Sequence, residues 1–182
     1  MKKIIAFSVL LCVLAMGAAA SVSRQRISWY TCPTKDHSRP RAPAEAPFLE
    51  ENDSYYLGPD EKVVYLTFDL GYENENVFKI LDALKKHSAP AAFFVLSHEV
   101  KNGEAISRLL SEGHLVCNHT SHHPDMSKME DKESFRRELQ LLEDEFREKT
   151  GEEMAKFYRP PQGVFSEQNL IWAKELGYKT VF

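Results

Sequence analysis

Apolar residues recur along this chain at two spacings, and the place where a pattern first appears divides it. From Lys62 onward, short unbroken apolar runs alternate with stretches whose apolar residues fall three and four apart. Val63-Val64-Tyr65-Leu66-Thr67-Phe68 is β-branched and aromatic and predicts a strand buried on both faces. Val77, Ile80, Leu81 and Leu84 then share one face of a helix predicted over residues 73–87. Ala91-Ala92-Phe93-Phe94-Val95-Leu96 predicts a second buried strand. Ala105, Ile106, Leu109 and Leu110 mark a short helix, closed by Gly113 where a left-handed cap is favoured. Residues 114–117 give a third strand. Phe135, Leu139, Leu142 and Phe146 stripe a long helix ending at Gly151, and Phe157-Tyr158 is a short fourth strand. Ser166 stands where it can cap a helix carrying Leu170, Ala173 and Leu176, stopped by Gly177. Residues 178–182 begin a fifth strand.

Strand and helix thus alternate five times with no hairpin signal between them. That is the pattern of an α/β fold built from right-handed crossovers around a parallel sheet or barrel. In such folds chemistry collects in the loops after the C-terminal ends of the strands. Residues 21–61 show neither period and hold Pro33, Pro40, Pro43, Pro47 and Pro59, which deny regular backbone pairing. Trp29, Tyr30, Phe48, Tyr55 and Tyr56 are many aromatics for a free linker, so this segment reads as an extended arm packed on the body.

The first twenty residues do not fit a soluble domain. Lys2-Lys3 precedes an apolar run from Ile4 to Met16, and Gly17-Ala18-Ala19-Ala20-Ser21 follows. A basic start, an apolar run short for a bilayer and a small-residue cleavage site make a signal peptide over 1–20, with an uncleaved anchor as the alternative. Export with no stable membrane insertion after cleavage is the expectation, so the organisation reads as leader 1–20, arm 21–61 and domain 62–182. Export leaves Cys32 and Cys117, for which two free thiols are expected, although a disulfide is permitted outside the cell. The formal net charge is −4 and the basic residues of the arm (Arg24, Arg26, Lys35, Arg39, Arg41) leave an acidic body, which argues against a nucleic-acid partner. The arm reads as a solvated linker or as a segment lying on an anionic wall polymer.

Three polar clusters fall at predicted strand ends. Asn118-His119-Thr120-Ser121-His122-His123-Pro124-Asp125 follows the third strand, and His119 and His123, four apart, can point two imidazoles at one divalent ion. Asp69 closes the first strand, where an acid must be met by a cleft, a partner or a helix to cap. Arg159-Pro160-Pro161-Gln162-Gly163 follows the fourth: the prolines fix the backbone and the arginine can orient a carboxylate, or the group is simply a rigid turn. Together, an acid, a histidine pair and an arginine on one rim point to a hydrolytic metal site, in which bound water has a lowered pKa and a carboxylate takes its proton.

Thr67-Phe68-Asp69, His119-Thr120-Ser121-His122-His123 and Arg159-Pro160-Pro161-Gln162-Gly163 resemble, in order, the first three motifs of the polysaccharide deacetylases (NodB-homology domain). The stretches 67–74, 118–126 and 158–167, with the Lys35-Asp36-His37-Ser38-Arg39-Pro40 arm, resemble most the spore-cortex branch, the delta-lactam-forming peptidoglycan de-N-acetylases. The resemblance implies an irregular (β/α) barrel of parallel strands, of which the chain holds the first five β/α units. It implies removal of the N-acetyl group from a peptidoglycan amino sugar, muramic acid in that branch, at the cell wall. Asp69 is then the catalytic base, Arg159 orients it, and His119 and His123 are metal ligands. Pro160, Pro161 and Gly163 line the substrate. Zn²⁺ suits two imidazoles and water best, with Co²⁺, Ni²⁺ or Mn²⁺ also fitting. Two departures stand out. Leu70 occupies the place where the family usually has a second, metal-binding Asp, although the spore-cortex branch often lacks it. The family's later motifs, an Asp-Trp region and a Leu-x-His whose histidine protonates the leaving amine, are absent. The expectation is therefore a domain without its C-terminal part and with reduced activity. The alternatives are an inactive fragment that at most binds carbohydrate, or a deacetylase of glucosamine or chitooligosaccharides. His37, His87, His98, His114 and His122 match no family position and are expected to pack or to lie on the surface.

Overall fold

A computed structural model describes residues 22–36, 38–71 and 75–182. The expected leader, His37 and residues 72–74 at the start of the first expected helix lie outside the described residues. In chain order the elements are β1 (Ile27–Ser28), β2 (Ser54–Tyr55), β3 (Thr67–Asp69), α1 (Asn76–Lys86), β4 (Ala92–Val95), α2 (Ser97–Asn102) and α3 (Glu104–Ser111). β5 (Leu115–Asn118), α4 (Lys132–Thr150), β6 (Ala155–Tyr158), β7 (Val164–Phe165), α5 (Glu167–Glu175) and β8 (Lys179–Val181) complete the chain.

Six strands form one open sheet in the order β2-β8-β6-β5-β4-β3, every neighbour parallel. It is a curled half-barrel with helices packed on it, the fold class expected from the sequence. The apolar stripes explain the packing. Leu81 and Leu84 of α1, Ile106 and Leu109 of α3, and Leu142 and Phe146 of α4 bury against Phe93, Val95 and Val116 of the central strands. A second apolar cluster joins Phe135 and Leu139 of α4 to Tyr158 of β6 and to Trp172 and Ala173 of α5. Helix ends fall where their chemistry puts them. Asp131 accepts the Ser134 N–H at 2.7 Å to open α4, and Gly151 closes it at φ +74. Ser166 and Asn169 form a reciprocal capping box at the start of α5.

Two expectations need correction. The first strand is buried on both faces in the sequence reading, yet β3 holds only Thr67–Asp69, and Val63, Val64 and Tyr65 are 52%, 81% and 64% exposed. The reason is register at an edge: β4 begins opposite Thr67, and the last rung is the Ala92 N–H to Leu66 O bond, so the preceding residues run past their only partner strand. Second, the segment read as lacking strands contributes two. β1 pairs antiparallel with β7, and β2 lies parallel beside β8, adding a sixth strand to the sheet. At two residues each they are too short to show a period. Ile27, Ala46, Phe48 and Leu49 from this segment bury against Phe165 and Leu170, which holds it on the body. Cys32 and Cys117 are both free, and burial pushes the Cys117 thiol up to about 12.

His114 is buried in this frame at 6% exposure, beside the ring of Phe93. Its Nδ1 accepts the Ala91 N–H at 3.3 Å, which requires the neutral ring. Burial pushes its pKa below the ordinary value, with the Glu112 carboxylate opposing. The sign follows: the unfolded chain binds this proton more readily, so the contribution to stability is complete above the unfolded histidine value and declines as pH falls below about 6.5. The melting temperature is expected to drop between pH 7 and 5.5, above the carboxylate range. His114→Gln should flatten that part of the profile; an unchanged slope in thermal melts of the variant would contradict the assignment.

Candidate active site

Because the sheet strands are parallel, β3, β5 and β6 deliver Asp69, the loop after Asn118, and Arg159 to the same edge. Arg159 connects them. Its Nη1 donates to Asp69 Oδ1 at 2.8 Å and its Nη2 to Thr67 Oγ1 at 2.9 Å. Its Nε donates to Val181 O at 3.3 Å, and its guanidinium lies 4.2 Å from the centre of the Phe94 ring. Asp69 is therefore bonded to an arginine, and α1 starts beyond it without a side-chain cap.

The histidine stretch is a loop rather than a helical turn. Thr120 and His123 take left-handed backbone angles, φ +72 and +57, which are rare for residues with side chains. The Thr120 N–H donates to Asn118 Oδ1 at 2.8 Å, and the His123 N–H to Thr120 Oγ1 at 3.0 Å. The loop is also tied to α4, where Ser121 N–H donates to Glu138 O at 3.1 Å. The result brings the rings of His119 and His123 to 5.0 Å between centres. His119 Nδ1 lies 2.8 Å from Arg159 O, and since a carbonyl only accepts, Nδ1 carries the proton and Nε2 keeps a free lone pair. Burial pushes the His119 pKa down, with the nearby Asp69 carboxylate opposing, so the neutral, ligating form is favoured.

This pair suits a divalent ion: two imidazoles, one with its tautomer fixed by a second hydrogen bond. Among the described residues no group of three His, Cys, Asp or Glu is placed to hold a metal. Leu70 donates its N–H to Phe94 O at 2.9 Å and packs on the apolar core. A cleft of about 600 Å³ between β3, α1 and the α2–α3 pair is lined by Phe68, Leu70, Val77 and Ile80; it reaches the site at Asp69 and includes neither histidine. Pro160 and Pro161 are buried and lead into a turn with Gln162 and Gly163 at φ +61 and +65. Glycine is favoured at 163 by that positive φ and by the close approach of the arm, where a Cβ would stand 3.3 Å from Trp29 Cβ; the Gly163 carbonyl accepts the Trp29 N–H at 2.7 Å.

None of the other described histidines joins the pair. His122 turns to Glu138 at 3.1 Å, His98 to Glu99 at 3.1 Å, His87 ends α1, and His114 is in the core. Sequence reasoning missed Thr67, Phe94 and Asn118. Thr67 carried a signal, since residues i and i+2 of a strand share a face and Thr67 must point where Asp69 points. Nothing in the sequence marks Phe94 as the ring beneath the arginine.

The family model described as polysaccharide deacetylase matches residues 57–181. The chain is similar to the peptidoglycan-N-acetylmuramic acid deacetylase PdaA of Bacillus subtilis, 41% identical over 175 residues, which cover 93% of this chain and 66% of that protein. An uncharacterised 30.6 kDa protein of Geobacillus stearothermophilus is 40% identical over 90% of this chain and 63% of its own length. The chain thus spans just under two thirds of these two relatives. Among solved structures, PdaA superposes with a TM-score of 0.82 at 41% identity over 88% of this chain and 70% of that one. A family 4 carbohydrate esterase from Bacillus anthracis gives 0.78 at 38% identity, over 89% and 74%. Fold, motif geometry and the match across residues 57–181 agree: this chain belongs to the polysaccharide deacetylase family.

Proposed function

We propose that this chain carries the catalytic base and the metal ligands of a carbohydrate de-N-acetylase acting on peptidoglycan, with N-acetylmuramic acid as the preferred sugar and the delta-lactam of the spore cortex as the outcome. The observation that carries it is the double use of Arg159: its side chain holds Asp69 at 2.8 Å, and its backbone carbonyl holds His119 at 2.8 Å. One residue thereby sets a carboxylate and a metal-ligating imidazole on the same rim. The preference for muramic acid is supported by the match to the Bacillus subtilis enzyme, which runs over 175 residues and so takes in the arm as well as the matched domain. Peptidoglycan lies outside the membrane, which fits export by the leader. No described helix is long and apolar enough to cross a membrane.

In this mechanism His119 and His123 would hold a divalent ion, Zn²⁺ foremost, with Co²⁺, Ni²⁺ or Mn²⁺ also suited. Bound there, the ion supplies a Lewis acid for the acetyl carbonyl and for water. Asp69 takes the proton of the attacking water and is placed to return it to the sugar nitrogen as the C–N bond breaks, so that acetate and the free amine leave. Arg159 keeps that carboxylate aimed through a charge-assisted bond. Thr67 fixes the second guanidinium nitrogen, and the Phe94 ring supports the flat face. Pro160, Pro161 and Gly163 give the turn that walls the sugar, held from behind by Trp29.

Acetate release from amidase-trimmed and untrimmed cell wall tests substrate and base together. Release is expected from trimmed wall, where muramic acid stands bare, and Asp69→Asn should lower it by about 10²–10⁴-fold. Equal release from both walls would rule out the muramic preference, and full activity in Asp69→Asn would remove the base. Metal affinity offers a separate check. Leu70→Asp adds a carboxylate next to the base and should tighten binding in a calorimetric titration; identical affinity would show that position 70 does not face the ion.

A further inference from the structure

We propose that Asn118 is a positioning residue of this reaction, holding the backbone between the two metal-ligating histidines through one buried side chain. The inference rests on reading His119 and His123 as metal ligands. Asn118 is the last residue of β5 and is fully buried. All the bonds it makes are directed. Its Oδ1 accepts the Thr120 N–H at 2.8 Å, and its two Nδ2 protons go to Leu139 O and to the Tyr178 hydroxyl, each at 3.0 Å. Its backbone carbonyl accepts the Arg159 N–H at 3.0 Å. Because one partner is a donor and another a carbonyl, only one orientation of the amide satisfies the site.

The residue it holds is the unusual one. Thr120 is β-branched with φ +72, a conformation that persists only where the surroundings fix it. Thr120 directly follows His119, and its hydroxyl accepts the His123 N–H. Release of the Thr120 N–H therefore frees the backbone between the two imidazoles. The backbone on the other side is fixed independently of the side chain: the main-chain carbonyl of Asn118 accepts the Arg159 N–H, and the Arg159 carbonyl accepts the His119 Nδ1 proton, bonds that an Asn118→Ala substitution leaves in place.

Asn118 is in turn held from outside the site. The Tyr178 hydroxyl accepts its amide proton and donates to Glu143 of α4, whose carboxylate is also bonded by Lys156. Glu143 is buried and Lys156 reaches the surface, so the chain of bonds runs from the histidine loop through Asn118 of β5, Tyr178 just before β8, Glu143 of α4 and Lys156 of β6 to solvent. Every member has its partner, which is the condition under which a buried polar network fixes one geometry.

Co²⁺ titration of the wild type, Asn118→Ala, Tyr178→Phe and Leu109→Ala, read by calorimetry and by the visible absorption of the bound ion, tests this. Each apo protein is first melted, and binding is measured below its transition. Asn118→Ala should bind about 10–100-fold more weakly, the usual loss for a group that orients a ligand, with an altered spectrum. Tyr178→Phe keeps the ring and removes one hydroxyl, so a smaller loss in the same direction is expected. Leu109→Ala opens the apolar core under α3 and should lower the melting temperature without changing affinity, which separates positioning from stability. If Asn118→Ala does not fold, Tyr178→Phe decides. Wild-type affinity and spectrum in the folded variants would overturn the proposal. Absence of Co²⁺ binding in the wild type would instead overturn the ligand reading on which it rests.

Discussion

An acid at the end of an apolar strand needs a cation, and the sheet order puts that cation far away. Asp69 ends the edge strand β3, and Arg159 follows β6, three strands along. At the ordinary strand spacing a flat sheet would separate the two ends by about 14 Å. The sheet is curled, and the guanidinium closes the gap by lying over Phe94 of the intervening β4 while its nitrogens reach Asp69, Thr67 and, on the other side, the carbonyl of Val181 in β8. A lysine cannot do this: a single ammonium has neither the planar face for the ring nor the divergent donors for three acceptors. The curl of the sheet, the placement of the acid and the choice of arginine are one constraint seen at three levels.

Much of this architecture was legible because most helices and inner strands are long enough to carry a period. The α4 stripe, Phe135 to Phe146, and the Ser166 cap place their elements within a residue or two. What escaped has a common cause. β1 and β2 have two residues each, α2 has a single large apolar residue, Val100, and none of the three can display a repeat. The error over Val63 to Leu66 is of another kind. Composition records that a segment is apolar, but whether it is central or at an edge depends on which strands the crossovers bring beside it, a property of the whole chain.

The site divides in the same way. That the proposed groups would meet was legible from motifs at strand ends, since a parallel sheet necessarily delivers such ends to one rim. Its geometry was not. The tautomer of His119 depends on a carbonyl forty residues away, and the orientation of Asn118 on a hydroxyl sixty residues away. The left-handed angle at Thr120, which decides where two imidazoles point, is opposed by the local preference of threonine and is held by the Asn118 side chain two residues back, itself aimed by Leu139 and Tyr178.

The same logic assigns a role to the proline-rich arm. Trp29 donates its N–H to Gly163 and stacks on Phe182 with ring centres 4.5 Å apart; Phe182 in turn donates its N–H to Tyr55 O. The turn that begins at Pro160 is therefore gripped by the arm on one side and continues into Arg159 on the other. Pro160 and Pro161 have few backbone conformations to lose, so a displacement at Gly163 is passed along a stiff segment rather than absorbed. Since the Arg159 carbonyl sets His119 and its guanidinium sets Asp69, the arm supports the site through the backbone without contributing a reacting group. A segment with almost no regular structure of its own is thus fastened at the position from which both halves of the site are held.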